Sequence, residues 1–462
     1  MTRRPHVLLI FMDDCTHWVL ADPEVHTPHL DRLRERGVHF THAHNQGSPL
    51  PAVCLPAREM LLSGRYLFHA RGHLPEVSRL APCLADGGYR TFFTGKWHNE
   101  PELLQTDYDE VGPNGRGMLD SVVTRSDADA YHRPRPDNHW DPTDTTLGGH
   151  WMALPDGRVQ HSSERWADAA IGFLRDHVTA ATDAGRDVPP FFAHIAFHAP
   201  HDPRQSPAEY LDSYDRDQID VPPNFLPEHP FDNGALRIRD ELLAPFPRTP
   251  DAVRLHRQEY FAILSHADAE IGRILETLDE LSLAEETVVV FSGDHGLALG
   301  EHGLLGKQSC YDHSTRVPLV IAGPGIPAGE VRDALVYSGS IMPTLCDLVG
   351  IPVPASVEFA SLAPTVHDNG AHLDELFGAY GEGESAQRWL RTTTHKVITY
   401  PPSGRVQLFD LEADPWERSD LSADPASQEL LGDLLARLER AQHRYADPLV
   451  ETGPAPAVTN AR

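Results

Sequence analysis

Short apolar runs recur along the chain and are separated by longer segments with helical periodicity. The runs at residues 7–11, 190–197 and 287–291 have the length and content of strands that are buried on both faces. Residues 254–281 show instead the spacing of a long amphipathic helix. Runs of this kind are typical of open α/β sheets, in which ligands bind at the carboxyl ends of the strands.

The pattern changes after about residue 365. Three short segments of β character then follow, at residues 389–394, 395–400 and 406–410. They predict a small antiparallel sheet, and residues 427–445 predict a final helix. We therefore expect a large α/β domain over residues 1–365 and a small C-terminal subdomain over residues 366–462, which ends in a flexible tail.

Two segments lack the periodicity of the rest. Residues 101–160 and 203–250 are rich in proline, so we predict that both are loop excursions from the core. Such excursions often determine substrate specificity. In the first one, Trp140, His150 and Trp151 could stack on a sugar, or they could hold the loop in place.

The charge balance is strongly acidic. Lys and Arg total 39 against 68 Asp and Glu, which gives a formal net charge of −29. This charge argues against nucleic acid and anionic membranes as partners. No run of about 18 apolar residues occurs, so we expect no membrane span. An anionic substrate would therefore need a locally basic pocket.

The five cysteines are odd in number, widely spaced and free of C-x-x-C pairs. This pattern argues against a disulfide framework and against a zinc ribbon. Reduced thiols, together with the absence of a leader ahead of the first apolar run, favour a cytoplasmic protein. Export followed by removal of a leader is the alternative.

Charged side chains follow two of the predicted strands. Asp13 and Asp14 come directly after the first apolar run, where the carboxyl end of a strand would present them to a ligand. Lys96 and His98 follow a strand predicted at residues 88–95 and, being two positions apart, point the same way. Each pair is also compatible with a solvated strand end, which residue type alone does not distinguish.

The segment around Cys54 combines a thiol, a helix start and a cation. Pro56 suits the first turn of a helix, and Gly64 suits its end. Cys54 would then lie at the helix N-terminus, where free N–H groups favour an anion, and Arg58 projects from the same face one turn later. By itself, a single Cys before a helix is more often a buried small hydrophobe than a reactive group.

Six separated stretches, in the right order, resemble the motifs of the type I sulfatases, a formylglycine-dependent family of the alkaline-phosphatase-like superfamily. The resemblance covers nearly the whole chain. Cys54-Leu-Pro56-Ala-Arg58 matches the family core C-x-P-x-R, with Ala57 where the commonest version has Ser. Other matching stretches are Asp13-Asp14, Gly95-Lys96-Trp97-His98, His198-Ala-Pro-His201-Asp-Pro203, Ser292-Gly293-Asp294-His295-Gly296 and Gly306-Lys307.

The resemblance implies a role for each of these residues. In the family a dedicated enzyme oxidises the cysteine to formylglycine, whose hydrate attacks sulfur, and this chain would use Cys54. His201 lines up with the acid on the leaving-group side, and His98 with the base that helps release sulfate. The implied catalytic residues are Cys54, Arg58, Lys96, His98, His201 and Lys307.

The same resemblance implies one divalent cation, which we expect to be Ca²⁺. His295 stands where many relatives have Asn, so it either binds the metal or bonds to the sulfate, and we expect it to be a ligand. A nitrogen donor is unusual for Ca²⁺, which prefers oxygen. The implied metal ligands are Asp13, Asp14, Cys54, Asp294 and His295.

The implied fold is an alkaline-phosphatase-like α/β sandwich, with a central mixed β-sheet flanked by helices and a small C-terminal antiparallel-sheet subdomain. The implied activity is hydrolysis of a sulfate ester, which we expect to be a saccharide sulfate, and the implied maturation partner is a formylglycine-generating enzyme. Two alternatives stay open. One is a phosphonate monoester or phosphodiester hydrolase of the same superfamily, and the other is a non-catalytic anion-binding protein with unmodified Cys54. The sequence identifies neither the sulfated alcohol nor the oligomeric state.

Overall fold

Strands and helices alternate over residues 4–117, 119 and 140–450, which the computed structural model describes. The strands of these residues are β1 (His6–Met12), β2 (Gly37–His44), β3 (Gly47–Ser48), β4 (Arg90–Lys96), β5 (Glu110–Gly115), β6 (Trp151–Ala153), β7 (Val159–His161), β8 (Phe191–Phe197), β9 (Thr287–Gly293), β10 (Arg316–Val317), β11 (Leu319–Ala322), β12 (Glu330–Tyr337), β13 (Leu376–Tyr380), β14 (Gln387–Arg391), β15 (His395–Tyr400) and β16 (Arg405–Asp410). The α-helices are α1 (Pro28–Glu35), α2 (Cys54–Ser63), α3 (Leu67–Ala70), α4 (Leu80–Asp86), α5 (Pro101–Asp107), α6 (Ser162–Asp183), α7 (Ala208–Asp212), α8 (Pro250–Glu280), α9 (Asp312–Thr315), α10 (Ile341–Leu348), α11 (Ala363–His367) and α12 (Gln428–Arg444).

A large mixed sheet forms the centre of the described part of the chain. Its strand order is β10-β2-β11-β9-β1-β8-β4-β5, and β12 pairs with β2. The strands β9, β1, β8, β4 and β5 are parallel to one another, whereas β10 and β11 run antiparallel to β2. The parallel strands therefore end at the same edge of the sheet.

Helices cover both faces of this sheet, because the central strands are apolar on both faces. In β1, Leu8 and Ile10 pack with side chains of α6 and α8, such as Trp166 and Phe261. The alternate residues of β1 pack on the opposite face with side chains of α2, α4 and α10. This two-sided burial explains why the strand reads as a continuous apolar run.

A second, five-stranded sheet lies in the C-terminal part of the described residues. Its order is β16-β15-β14-β13-β3, and all its pairs are antiparallel except that of β3 with β13. The helix α12 packs against it through Leu434 and Leu438, which join the same apolar cluster as Trp389. The strand β3 shortly precedes α2, so this sheet also borders the segment around Cys54. The domain boundary near residue 365 stays a prediction.

Buried charges connect the second sheet to the central one. Nζ of Lys396, in β15, donates to Oδ1 of Asp312 at 2.9 Å, and Arg391 bonds to Oδ2 of the same carboxylate. Glu417 accepts from the Asp312 backbone N–H at 2.8 Å. Burial opposes ionisation of Asp312, but Arg391 and Lys396 hold the pKa of this carboxyl well below its usual range.

The prediction that residues 101–160 leave the core is wrong for the first part of that segment. Residues 101–107 form α5, and β5 pairs with β4 as an edge strand of the central sheet. Gly112 and Pro113 hide this strand in the sequence, because a proline is tolerated at a sheet edge where it need not donate to a ladder. Residues 118 and 120–139 lie outside the described residues, and so does most of the predicted tail, residues 451–462.

The later part of the first excursion is held against the core by buried aromatic and imidazole rings. Nδ1 of His150 bonds to the Ser162 hydroxyl at 2.7 Å, and Nε1 of Trp151 donates to the Pro142 carbonyl oxygen at 3.3 Å. Both rings are buried, so they hold the loop in place. None of the described helices combines the length and apolar character that a membrane crossing requires.

Candidate active site

Four parallel strands deliver polar side chains to one edge of the central sheet. These strands, β1, β4, β8 and β9, are neighbours in the order β9-β1-β8-β4. Their carboxyl ends carry, strand by strand, Asp13 and Asp14, then Lys96 and His98, then His201, and finally Asp294 and His295. The sequence placed these residues at strand ends, and parallel pairing brings the ends together.

The helix α2 begins at Cys54 and ends at Gly64, whose φ of 65° favours glycine. Sγ of Cys54 lies 3.1 Å from Nδ1 of His98. Burial raises the pKa of the Cys54 thiol to about 12. At neutral pH the thiol is therefore protonated, and an unmodified Cys54 would be a poor nucleophile.

Three buried carboxylates, those of Asp13, Asp14 and Asp294, surround the imidazole of His295. Nε2 of His295 lies 3.8 Å from Oδ1 of Asp13 and 3.5 Å from Oδ1 of Asp294. Nδ1 of the same ring lies 3.5 Å from Oδ1 of Asp14. Burial lowers the pKa of His295 to about 3, so the ring is neutral near pH 7.

His295 and Asp13 each direct an unsatisfied atom into this cluster. Nδ1 of His295 donates to the Gly296 carbonyl oxygen at 2.9 Å, which leaves Nε2 with a lone pair. Nε2 of His295 and Oδ1 of Asp13 are buried and have no hydrogen-bond partner among the described residues. One ligand atom each from Asp13, His295 and Cys54 lies within 4.8 Å of the others. These residues fit a bound cation, because a metal-ligating histidine commonly donates its second N–H to a carbonyl.

Arg58 connects α2 to the carboxylate that follows β9. Its Nη2 and Nε donate to Oδ2 of Asp294 at 3.0 and 3.2 Å, and its Nη1 donates to the Lys96 carbonyl oxygen at 3.2 Å. Burial opposes ionisation of Asp294, but its interactions with His295, then with Arg58 and the two lysines Lys96 and Lys307, lower its pKa to about 2. Asp294 is thus a fixed anion.

Two buried lysines bond to the other carboxylates. Nζ of Lys307 donates to Oδ1 of Asp14 at 2.7 Å, and Nζ of Lys96 bonds to Oδ2 of Asp13. Burial lowers the pKa of Lys96 to about 7 and raises that of Asp14 to about 6. At Lys307 burial opposes the charged form, but the combined effect of nearby groups, chiefly Asp14 and then Asp240, raises the pKa of the ammonium group. Three cations thereby offset the three carboxylates.

A cavity of about 280 Å³ opens from Cys54 towards solvent. This volume is close to the lower end of small-molecule sites, about 300–1,000 Å³. In its wall, Nδ1 of His201 donates to the Asp202 carbonyl oxygen at 2.7 Å, and Nε2 lies 4.0 Å from Oδ2 of Asp14. Burial and nearby lysines hold the pKa of His201 well below its usual range. Other residues in the wall include His98, Arg239, Asp240, Lys307 and Gln308.

Each of the ten predicted site residues contacts another member of this cluster, and their catalytic roles stay predictions. Two further residues of the cavity, Arg239 and Asp240, belong to the second excursion and were not predicted from the sequence. Nη1 of Arg239 donates to Oδ1 of Asp202 at 3.2 Å and to Oδ1 of Asp240 at 2.8 Å. Their only sequence signal is a run of three charged residues, ending at Glu241, within a proline-rich segment.

Comparison with known families defines the class of protein. The family model described as Sulfatase matches residues 5–351, which is more than half of the 462 residues. The chain belongs to the sulfatase family. A second family model, described as the C-terminal part of N-sulphoglucosamine sulphohydrolase, matches residues 300–444. The predicted type I sulfatase resemblance is therefore confirmed.

Curated sulfatases are similar to this chain over most of their length. An arylsulfatase of Clostridium perfringens is 28% identical over 479 residues, covering 96% of this chain and 96% of the relative. A choline-sulfatase of Rhizobium meliloti is 29% identical over 451 residues, covering 92% of this chain and 83% of the relative. These matches confirm the predicted enzyme class, a hydrolase of sulfuric esters.

Solved structures of other proteins share the fold. One was determined in complex with its substrate, D-glucosamine-2-N,6-O-disulfate; it has a TM-score of 0.73 at 21% identity and covers 96% of this chain and 99% of its own. A phosphonate monoester hydrolase from Silicibacter pomeroyi gives a TM-score of 0.70 at 23% identity, with 96% of each chain covered. The predicted alkaline-phosphatase-like sandwich with a small antiparallel sheet is thus confirmed. The sulfatase family generally uses a metal and a formylglycine.

Proposed function

We propose that this sulfatase hydrolyses a sulfate ester of a carbohydrate at the residues around Cys54. The observation that carries the proposal is the pair of unsatisfied atoms, Oδ1 of Asp13 and Nε2 of His295, which lie beside Cys54 among fixed cations. The names of two relatives support a carbohydrate. One similar structure contains D-glucosamine-2-N,6-O-disulfate as its substrate, and one relative is an N-acetylglucosamine-6-O-sulfatase of Bacteroides thetaiotaomicron.

The cation of the site would be Ca²⁺, bound by the three carboxylates and by Nε2 of His295. Ca²⁺ prefers oxygen ligands such as carboxylates and takes six to eight of them in a flexible shell, to which His295 would add one nitrogen. Without a cation, three carboxylates around a neutral imidazole are balanced only by Lys96, Lys307 and Arg58. A bound cation would release the two lysines from Asp13 and Asp14, so that both could bind the substrate sulfate.

The nucleophile would be formed from Cys54 by a formylglycine-generating enzyme during maturation. The raised pKa of the buried thiol supports this modification, because the thiol itself is a poor nucleophile at neutral pH. A cation held by these residues would supply Lewis-acid polarisation of the sulfate, and the hydrated aldehyde formed from Cys54 would supply the attacking oxygen. His98 lies at hydrogen-bond distance from residue 54, where it would accept a proton.

The remaining residues would bind the sulfate and assist the leaving alcohol. Lys96, Lys307 and Arg58 would offset the negative charge that develops on the sulfate oxygens in the transition state. His201 would act on the alcohol side, since its Nδ1–H is bonded to a carbonyl oxygen and its Nε2 is the nitrogen left for proton transfer. It would need to be protonated when substrate is bound, and the incoming sulfate anion favours that state.

A phosphonate monoester or phosphodiester hydrolase is the second candidate. The structural similarity to the Silicibacter pomeroyi enzyme favours it. A sulfate monoester, a phosphate diester and a phosphonate monoester each carry a single negative charge on a tetrahedral centre, so the cations around Cys54 would bind any of these groups. The comparison of the two substrate classes is therefore the experiment that tests the proposal.

We expect protein produced together with a formylglycine-generating enzyme to release inorganic sulfate from at least one defined mono- or disaccharide sulfate. Its kcat/KM for that sugar should exceed its kcat/KM for an aryl phosphodiester by about 10²-fold or more, because differential transition-state binding sets specificity. Ion chromatography measures the inorganic sulfate released from the sugar, and absorbance of the released phenol measures hydrolysis of the phosphodiester. Faster turnover of the phosphodiester than of every sugar sulfate would refute the proposal in favour of the second candidate, and binding of sulfate without turnover would indicate a non-catalytic protein.

A further inference from the structure

The second excursion returns to the active site at a short turn that contains Arg239, Asp240 and Glu241. Residues Asp240–Leu243 form a single 3-10 turn. Arg239 and Asp240 line the cavity beside Cys54, whereas Glu241 points away from it and is buried. None of these residues belongs to a motif that marks the catalytic cluster.

Glu241 holds the backbone on the N-terminal side of Lys307. Its Oε2 accepts from the Leu305 N–H at 2.9 Å, and its Oε1 accepts from the Gly306 N–H at 2.9 Å. Nη2 of Arg248 donates to Oε2 of Glu241 at 2.7 Å. The carboxylate of Glu241 therefore fixes two successive peptide units directly before the lysine.

Asp240 holds the other side of Lys307 through Gln308. Nε2 of Gln308 donates to Oδ2 of Asp240 at 2.6 Å and to the Pro51 carbonyl oxygen at 3.0 Å. Oε1 of Gln308 accepts from the Lys307 N–H at 2.9 Å. A Cβ added at Gly306 would lie 2.5 Å from Oε1 of Gln308 and 2.8 Å from Oε1 of Glu241, so the loop fits closely against both groups.

We propose that Asp240 and Glu241 are positioning residues for Lys307. This inference rests on the proposed role of Lys307 in binding the sulfate. A lysine has a flexible four-carbon side chain and no planar group to orient it, so the place of its ammonium group depends on its backbone. Two adjacent carboxylates fix that backbone from both sides. Precise placement matters, because a displacement of about 1 Å from a change remote from the chemistry can cost about 10²-fold in rate.

The alternative is that the two carboxylates only anchor the second excursion, residues 203–250, to the rest of the protein and contribute to folding. The two cases differ in their coupling to Lys307. A positioning residue acts through the lysine, so its effect on catalysis disappears once the lysine is removed. A purely structural residue has the same effect whether or not Lys307 is present.

The experiment is a double-mutant cycle on the mature enzyme, with Glu241→Gln, Lys307→Ala and the double variant. We expect Lys307→Ala to lower kcat/KM on an aryl sulfate by about 10²- to 10³-fold and Glu241→Gln to lower it by about 10- to 10²-fold. The double variant should resemble Lys307→Ala within about threefold. The Kd for inorganic sulfate, measured by calorimetry, should follow the same pattern.

The matched control is Asp447→Asn, which alters a buried carboxylate that also binds one arginine, Arg388, and one backbone amide. It should leave kcat/KM and sulfate affinity of the folded protein unchanged. If Glu241→Gln does not fold, Asp240→Ala replaces it in the same cycle, since the side chain of Asp240 is partly exposed.

Multiplicative losses in the double variant would overturn the inference, and so would an unchanged kcat/KM in Lys307→Ala or in Glu241→Gln. All of these outcomes require that the wild-type enzyme turns over a sulfate ester. Failure of the proposed function would instead appear as absence of sulfate release from the wild type itself, so the two failures are distinguishable.

Discussion

Replacing Cys54 with alanine is expected to abolish sulfate ester hydrolysis, with a loss in kcat of about 10⁴-fold or more. The reason is that the change removes the only side chain at the start of α2 that can be converted into a nucleophile, while the other implied metal ligands and the cations stay in place. The thiol is small and buried, so the fold should tolerate alanine. Sulfate release from a sugar sulfate and an aryl sulfate measures the loss.

The matched control for this change is Cys346→Ala. Cys346 is also a buried thiol in a helix, α10, but it lies in the apolar core and not at the strand ends. Its replacement should preserve turnover in the folded protein. Turnover by Cys54→Ala within about tenfold of wild type would mean that the nucleophile is a different group, and it would remove the basis for the proposed maturation.

The second large effect is expected for Asp13→Asn, which should lower both the metal content and kcat/KM, the latter by about 10³-fold. Oδ1 of Asp13 is a buried carboxylate oxygen without a hydrogen-bond partner among the described residues, and it faces Nε2 of His295. The amide has the same shape but carries no charge, so it weakens the hold on a cation that also offsets Asp14 and Asp294. Elemental analysis of the purified protein measures bound metal independently of activity.

A suitable control is Asp268→Asn. Asp268 is buried in α8 and accepts from the backbone N–H groups of His29 and Leu30 at 3.0 and 2.8 Å. Burial raises the pKa of Asp268 to about 7, so a neutral amide should be tolerated there. This variant should retain metal and turnover. Wild-type metal content and rate in Asp13→Asn would show that the carboxylate cluster is not the metal site.

The central sheet and most of the site could be predicted because the relevant signals are local. The continuous apolar run ahead of Asp13 follows from the burial of β1 on both faces. The position of Cys54 at a helix start follows from Pro56 and Gly64, and α2 indeed runs from Cys54–Ser63. Each strand-end residue could be recognised within its own segment, and the parallel pairing of the strands brings these residues together at one edge of the sheet.

Features that depend on contacts between distant segments could not be predicted. The edge strand β5 was missed because Gly112 and Pro113 mask it, and its pairing with β4, a distant segment, is not visible in the sequence. The role of Glu241 is invisible in the sequence, because its carboxylate serves backbone amides more than 60 positions later, at Leu305 and Gly306. Every residue except proline has a backbone N–H, so a contact with such a donor leaves no residue pattern in the sequence.

The proposed mechanism requires that Cys54 is converted to formylglycine. Protein preparations with different degrees of maturation can be compared by peptide mass spectrometry of the Cys54 peptide and by sulfate release on the same samples. Turnover should rise in proportion to the fraction of formylglycine and should extrapolate to zero when the peptide contains only cysteine. Full turnover from a preparation in which that peptide carries only the unmodified thiol would contradict the proposed mechanism.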